Sequence, residues 1–316
     1  VSWGRYKPDL VIDIGEIAAL TRMRGSKAWR VSEDGELRDT FRSLENVFEM
    51  REKDFFRYYS EGEKVPVTYF SECNEYLKIL HDIQPELPFS NVYAAQKLHG
   101  LIPKNSVIHF GILNSLRSWN FFELPDTVQG FSNVGGYGID GGVSTLLGAS
   151  VLNPEKLYFG IFGDLCFFYD MNALGNRHLG KNIRIMLVNN GLGEEFKTFF
   201  NHCYQWGEET NKFVAAEGHF GKKSPVLVRH YAEDLGFEYL SASNKEEFEK
   251  TYKRFVEPEV TDKPIFFEIF TTDENENEAL QKIMCIHEDS VGVAKSVAKK
   301  VLGDKGTKFV KGLLGK

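Results

Sequence analysis

Polar residues follow two successive apolar segments of the chain, and their oxygen atoms could bind a metal ion. Asp164 comes after KLYFGIF, residues 156–162, and Asn190 comes after IRIMLV, residues 183–188. Mg²⁺ prefers oxygen ligands in nearly octahedral geometry, and it often links a protein carboxylate to the phosphates of a substrate. The turn after Asn190 can add a backbone carbonyl, that of Leu192. Asp164, Asn190 and Leu192 therefore form a candidate Mg²⁺ site that would also hold a diphosphate.

The elements predicted around these residues are a strand, a helix and a second strand. Strand 157–162, a helix over 166–180 and strand 183–188 would form one right-handed βαβ unit with parallel strands. Ligands of open α/β sheets bind at the carboxyl ends of such strands. The helix begins there, so the backbone amides of Leu165 and Cys166 can face an anion. The alternative is that Gly-Asp and Asn-Asn are ordinary turn residues. Their occurrence after two neighbouring strands favours the metal site.

The same alternation of apolar strands and helices extends over most of the chain. Further strands are predicted at 106–113, 238–243 and 264–271, and further helices at 75–83, 90–102, 141–151, 225–236 and 245–256. This order predicts an α/β fold, a doubly wound, mostly parallel sheet with helices on both faces.

The domain limits follow from changes in this rhythm. Strands at 8–16, 27–36 and 44–50 with one helix at 51–64 would make an incomplete sheet. We predict four segments: an incomplete α/β domain at 1–60, a linker at 61–78, the domain with the metal site at 79–290, and a Lys-rich tail at 291–316. For the tail, a solvated helix is favoured over a membrane contact.

Composition narrows the function classes. The 316 residues are 42% apolar and carry a formal net charge of −7, which argues against a nucleic-acid or membrane binder. The four cysteines are scattered without CxxC spacing, and no HExxH pair is present, so a zinc site is disfavoured. No leader-like segment precedes the first strand, and together with reduced thiols this favours a cytoplasmic location.

Several motifs resemble one known superfamily. The pattern GDL…NNG resembles the signature by which thiamine-diphosphate-dependent enzymes bind Mg²⁺ and the cofactor's diphosphate. NSLRSWNFF (114–122), GGYGIDGGVST (135–145) and KAWRVSEDGELRDT (27–40) are similar to segments of one family within it, the menaquinone-pathway synthases that join 2-oxoglutarate to isochorismate. A dinucleotide-binding interpretation of 135–142 is disfavoured because no clear strand leads into those glycines.

The resemblance implies a thiamine-diphosphate-binding fold, preceded by a truncated central domain, with thiamine diphosphate and Mg²⁺ as cofactors. It implies that Ile139 is the apolar wedge beneath the bent cofactor, although a core Ile at a helix start is an equal alternative. Ser115 would lie near the diphosphate or only cap its loop. The cofactor-binding residues implied are Ser115, Gly138, Ile139, Gly163, Asp164, Leu165, Cys166, Asn190 and Leu192.

The chain departs from the family at positions that contact substrate. Val134 and Trp119 stand where the synthases have Arg, although Arg117 is close by. Glu195 and Phe196 replace an apolar-Phe pair, and with Trp119 they form the predicted substrate pocket. A carboxylate at Glu195 would disfavour a dicarboxylate substrate unless it is paired or protonated. These departures argue against menaquinone synthesis and leave the cofactor-binding residues in place.

One expected part has no counterpart here. In this superfamily a Glu on a separate pyrimidine-binding domain activates the cofactor, and nothing in the chain resembles that domain. We therefore predict no catalytic residue in this chain, which would be the C-terminal part or a subunit of a 2-oxoacid decarboxylase or carboligase. A homodimer, a homotetramer or a pyrimidine-binding partner subunit would complete the site. The alternative is a non-catalytic cofactor-binding module. His219, in GHFGKKSP, is predicted to lie on a surface loop or on a lid over the substrate.

Overall fold

A computed structural model describes residues 7–14, 26–62, 67–134, 138–212 and 224–286. The Lys-rich tail predicted at 291–316 and the loop with His219 lie outside these residues. The chain divides into two compact units, Val1–Ile83 and Gln84–Lys316.

The first unit contains a small parallel sheet in the order β1-β2-β3. Its elements are β1 Leu10–Ile14, β2 Lys27–Ser32, β3 Leu44–Glu49, α1 Glu52–Ser60 and α2 Tyr69–Asp82. Phe55 of α1 is buried and contacts Phe48 of β3 edge to face, with ring centroids 5.0 Å apart. The linker predicted at 61–78 differs from the structure, because α2 begins at Tyr69 and the unit extends to Ile83.

The second unit is built on a six-stranded sheet in the order β5-β4-β6-β7-β9-β8. Its strands are β4 Val107–Phe110, β5 Gln129–Ser132, β6 Tyr158–Gly163, β7 Ile183–Asn189, β8 Glu238–Ala242 and β9 Ile265–Phe270. Every pairing between neighbouring strands is parallel, so all six carboxyl ends lie at the same edge. β6 and β7 are central, and nearly every residue in them is buried.

Helices cover both faces of this sheet because successive strand residues point to opposite sides. In β6, Phe159 and Ile161 face one hydrophobic cluster, whereas Tyr158 and Phe162 face the other. The helices are α3 Asn91–Leu98, α4 Asn114–Trp119, α5 Gly142–Ser150, α6 Asp164–Asp170, α7 Leu227–Asp234, α8 Lys245–Phe255 and α9 Asp273–Met284. The first cluster contains residues of α3, α8 and α9, and the second contains residues of α5, α6 and α7. The predicted doubly wound α/β class is confirmed.

Three local predictions need correction. The helix predicted over 166–180 starts at Asp164 and is α-helical only to Asp170, after which the chain tightens into a 3₁₀ turn, Met171–Gly175. β5 does lead toward the glycines of 135–142, contrary to expectation; it is a four-residue edge strand whose first three residues are exposed, so it lacks a strong apolar pattern. α9 was not expected either, because its acidic sequence gives few apolar positions.

Among the described residues, no helix combines the length and the apolar character needed to cross a bilayer.

Candidate functional site

A cavity of about 110 Å³ lies at the carboxyl edge of the large sheet, where β4, β6 and β7 end. Of the predicted site residues, the ones that line it are Ser115, Ile139, Gly163, Asp164, Leu165, Cys166, Asn190, Leu192, Glu195 and Phe196. Residues from segments far apart in sequence therefore meet at one edge of the sheet.

Asp164 joins the tips of the two central strands. It is the first residue of α6, directly after β6, and its side chain is only 3% exposed. One carboxylate oxygen accepts from the backbone N–H of Leu165 at 2.7 Å, and the other accepts from that of Gly191, beyond β7, at 2.7 Å. The Leu165 amide, which was predicted to face an anion, is thus bonded to Asp164. The contact with Gly191 places Asp164 beside the turn that carries Asn190.

Asn189, the last residue of β7, and Asn190, which follows it, make different side-chain contacts. Asn189 donates to Glu268 of β9 at 2.7 Å, and Glu268 also accepts from the Tyr239 hydroxyl at 2.7 Å. Asn190 lines the cavity instead, and its side-chain oxygen accepts from the Leu192 N–H at 3.0 Å. Gly191, between Asn190 and Leu192, has a φ of 75°, a conformation that favours glycine.

The oxygen atoms at this corner suit a hard divalent cation. Asp164 supplies a carboxylate, Asn190 an amide oxygen, and the turn at Leu192 backbone carbonyls. The described residues contain no group of three His, Cys, Asp or Glu side chains arranged to hold a metal. A cation here would therefore depend on Asp164, neutral oxygens and ligand phosphates, as Mg²⁺ sites commonly do.

Two buried glutamates line the cavity together with Asp164, and we call Asp164, Glu194 and Glu276 the acidic end of the cavity. Burial and the nearby carboxylates raise the pKa of Glu194 to about 10, and the charge of Lys197 opposes this only in part. Burial, together with the Asp164 charge, raises the pKa of Glu276 to about 7. Positive charge from the described residues therefore offsets this end only in part, as expected for a site that accepts a cation.

Neither glutamate was predicted from the sequence. Glu194 follows the Asn-Asn turn by four residues and receives an N–H from Asn190 at 3.3 Å, so its proximity was a usable signal. Glu276 belongs to α9, whose run DENENE looks like a solvated helix face. It is held by the backbone N–H of Asn91 at 2.9 Å. The side-chain oxygen of Asn91, which also lines the cavity, has no hydrogen-bond partner among the described residues.

Another part of the cavity wall is formed by the start of α4 and the turn after β7. We call Asn114, Arg117 and Glu195 the arginine end. Arg117 donates to both carboxylate oxygens of Glu195, at 2.9 and 3.3 Å, and also to the side chain of Asn114. Its guanidinium lies 4.9 Å from the centre of the Phe200 ring. Glu195 is therefore paired, the condition under which the sequence left a dicarboxylate substrate open, but the same pairing occupies the guanidinium that such a substrate would need.

The remaining predicted residues divide between the cavity and its surroundings. Ser115 is buried at the start of α4, and the Cys166 thiol is 7% exposed with its pKa raised to about 12, chiefly by burial. Gly138 is not among the lining residues. Trp119 does not line the cavity either: it is 3% exposed and packs on Phe110 with ring centroids 5.6 Å apart. The predicted pocket role of Trp119 is not supported, because α4 turns its last residue into the core.

Comparisons of sequence and fold find known proteins that are similar to this chain. The family model described as "Thiamine pyrophosphate enzyme, C-terminal TPP binding domain" matches residues 116–269. A 2-succinyl-5-enolpyruvyl-6-hydroxy-3-cyclohexene-1-carboxylate synthase of Bacteroides fragilis is 33% identical over 84% of this chain. Residues 116–269 belong to the thiamine-pyrophosphate enzyme family as its C-terminal, TPP-binding domain. A synthase with the same name from Bacteroides thetaiotaomicron is 30% identical over 85% of the chain.

The chain spans about half the length of these family members, 47% and 48% respectively. Among solved structures, a thiamine diphosphate-dependent 4-hydroxybenzoylformate decarboxylase of Rhodococcus jostii RHA1 matches 84% of this chain and 49% of its own, with a TM-score of 0.53. At 13% identity this likeness concerns the fold. The family model and the curated relatives confirm the predicted resemblance to the C-terminal part of a thiamine-pyrophosphate enzyme.

Proposed function

We propose that this chain is the Mg²⁺- and diphosphate-binding part of a thiamine-diphosphate-dependent 2-oxoacid decarboxylase or carboligase. One observation carries the proposal: the Gly191 N–H bonds to Asp164 at 2.7 Å, so the tips of β6 and β7 deliver Asp164 and Asn190 to one cavity. Membership of the family supports the choice of cofactor.

The described residues take distinct roles in this proposal. The Asp164 carboxylate, the Asn190 side-chain oxygen and the Leu192 carbonyl would hold Mg²⁺, which in turn would hold the diphosphate. Ile139 and Ser115 line the same cavity and would contact the rest of the cofactor. The apolar residues of the wall would keep water away from the reacting carbon. When bound, the cofactor would supply a nucleophilic carbon and an electron sink for the loss of CO₂ from a 2-oxoacid.

The activating Glu is assigned to a pyrimidine-binding domain outside this chain. That domain could belong to a longer polypeptide, to a partner subunit, or to a complete second copy in a homodimer or homotetramer. The proposed location is cytoplasmic.

Titration of the full chain with thiamine diphosphate, with and without Mg²⁺, tests the metal site. Calorimetry should show binding only with Mg²⁺, and Asp164→Ala should abolish it. Asp164→Asn keeps the shape of the side chain and should weaken binding by about tenfold or more, because it loses a charged ligand. Asp234→Ala, which removes an exposed carboxylate from α7, is the control and should bind like the wild type.

Thermal unfolding without ligand shows whether each variant is folded. Binding of thiamine diphosphate by folded Asp164→Ala with wild-type affinity would reject the assignment.

The competing proposal is a cofactor-binding module without turnover. It is favoured by the position of Trp119 in the core. Release of CO₂ from any 2-oxoacid by the full chain and its partners decides between the two.

A further inference from the structure

The described residues that line the cavity include four carboxylates and no Lys, Arg or His. The carboxylates belong to Asp164, Glu194, Glu195 and Glu276. Three of them form the acidic end, where Mg²⁺ and the diphosphate are proposed to bind. The fourth, Glu195, lies at the arginine end beside Phe196, on the wall that is left for the substrate.

Among the described residues, Arg117 is the one cation in direct contact with that wall, and it is already bound to other side chains. Both terminal nitrogens of Arg117 donate to Glu195, in the two-point geometry that gives Arg–carboxylate pairs their strength. A further contact goes to the Asn114 side chain, and the guanidinium packs over the ring of Phe200. Arg117 and Glu195 are only 25% and 23% exposed, so water screens this pair less than a surface pair.

Among the described residues, a distal carboxylate on a substrate would find no available cation on this wall. To reach Arg117 it would have to displace Glu195, and beside Glu195 it would meet a like charge in a partly dehydrated place. An uncharged side chain avoids both costs and can pack against Phe196 and Ile139, which line the same cavity.

We propose that Glu195 is a specificity-determining residue: bound to Arg117, it selects 2-oxoacids with an uncharged side chain and excludes 2-oxo dicarboxylates. This inference rests on the function proposed above and adds the substrate class to it. A purely structural role for the pair, fastening α4 to the turn after β7, would change stability without changing the preference between two substrates of equal length.

The test compares 2-oxopentanoate with 2-oxoglutarate, which have five carbons each and differ in a terminal methyl or carboxylate. The full chain, with its partners, thiamine diphosphate and Mg²⁺, should show a kcat/KM at least tenfold higher for 2-oxopentanoate. Glu195→Gln should shift this ratio toward 2-oxoglutarate by about tenfold or more, because Arg117 then lacks its carboxylate partner. Adding Arg117→Leu to Glu195→Gln should remove that shift.

A binding measurement avoids dependence on turnover. Calorimetry with pentanoate and glutarate, which do not react, should show the same order of affinities in the wild type and the same shift in Glu195→Gln. Glu233→Gln is the matched control, because Glu233 pairs with Arg229 on the exposed face of α7 and its loss should leave the ratio unchanged.

The outcomes distinguish a failure of the proposed function from a failure of the specificity role of Glu195. If thiamine diphosphate fails to bind with Mg²⁺, the proposed function fails and this inference fails with it. If the cofactor binds and the dicarboxylate is preferred, or if Glu195→Gln leaves both ratios unchanged, the specificity role is wrong and the cofactor site stands.

Discussion

The two ends of the cavity treat negative charge in opposite ways. At the acidic end, burial and the nearby carboxylates raise the pKa of Glu194, burial and the Asp164 charge raise that of Glu276, and Lys197 opposes the shift at Glu194 only in part. At the arginine end, the Glu195 carboxylate is bonded at both oxygens to Arg117. Both ends lie at the same edge of one sheet, within a single cavity.

This difference shows where the fold leaves charge for a ligand and where it does not. Buried carboxylates without counter-charges are unfavourable in the empty protein, and a bound divalent cation would relieve that cost. A carboxylate that is already paired gains little from a further cation. The acidic end therefore suits a site that is completed by binding, and the arginine end suits a wall that is complete beforehand.

The largest effect on stability that would test the difference between the two ends is expected from Glu276→Gln in the absence of divalent cations. The pKa of Glu276 is raised from 4.5 to about 7. Its contribution to the stability of the folded state is therefore fully present below about pH 4.5 and is lost as the pH rises to 7. At about 1.4 kcal/mol per pKa unit, the wild type loses roughly 3 kcal/mol over this range, and the variant keeps that stability at pH 8. Urea unfolding at pH 4.5, 6 and 8 measures it.

Glu278→Gln on the exposed side of α9 is the control for this series and should change the free energy of unfolding by less than about 0.5 kcal/mol. If Glu276→Gln shows the same pH dependence of stability as the wild type, the acidic end does not carry the uncompensated charge described here.

A smaller effect is expected behind the acidic end, at the hydrogen bonds that hold Asn189. Tyr239→Phe removes the hydroxyl that donates to Glu268, whose other oxygen accepts from Asn189. Leaving a buried carboxyl oxygen without its donor costs about 1–3 kcal/mol. Unfolding in urea should show this loss, with an unchanged denaturant slope. A variant as stable as the wild type would mean that Glu268 has found another partner and that Asn189 does not depend on this bond.

The smallest effect is expected at the arginine end. Arg117→Leu leaves Glu195 without its cation, and because the pair is about three-quarters buried we expect a loss of about 1 kcal/mol, reduced in high salt. Arg229→Leu, in an exposed pair on α7, should cost less than about 0.5 kcal/mol. Equal losses in the two variants would contradict the view that the cavity wall is balanced before any ligand arrives.

The sequence predicted the residues that depend on local order along the chain. Asp164 and Asn190 each follow an apolar strand, and parallel strands necessarily bring such ends to one edge, so their meeting could be foreseen. The β5 strand could not be, because four mostly exposed residues give no clear alternation.

Contacts between distant segments were beyond sequence reasoning. Arg117 and Glu195 are 78 positions apart, and their pairing depends on how far α4 and the turn after β7 extend over the sheet edge. Glu276 reaches the cavity only because α9 packs beside α3, which its acidic sequence does not indicate. Trp119 was placed on the wrong side because its direction depends on the rotation of a helix of six residues.

The buried thiol in the cavity wall has a practical consequence for watching this molecule move. The thiolate is the form that attacks alkylating reagents, and Cys166 is both shielded and held largely protonated at neutral pH. The rate at which Cys166 is labelled would then depend on how often the cavity wall opens, and a ligand bound over Cys166 would slow the labelling. Cys166 is thus a natural reporter of local opening at the place where ligands are expected to enter.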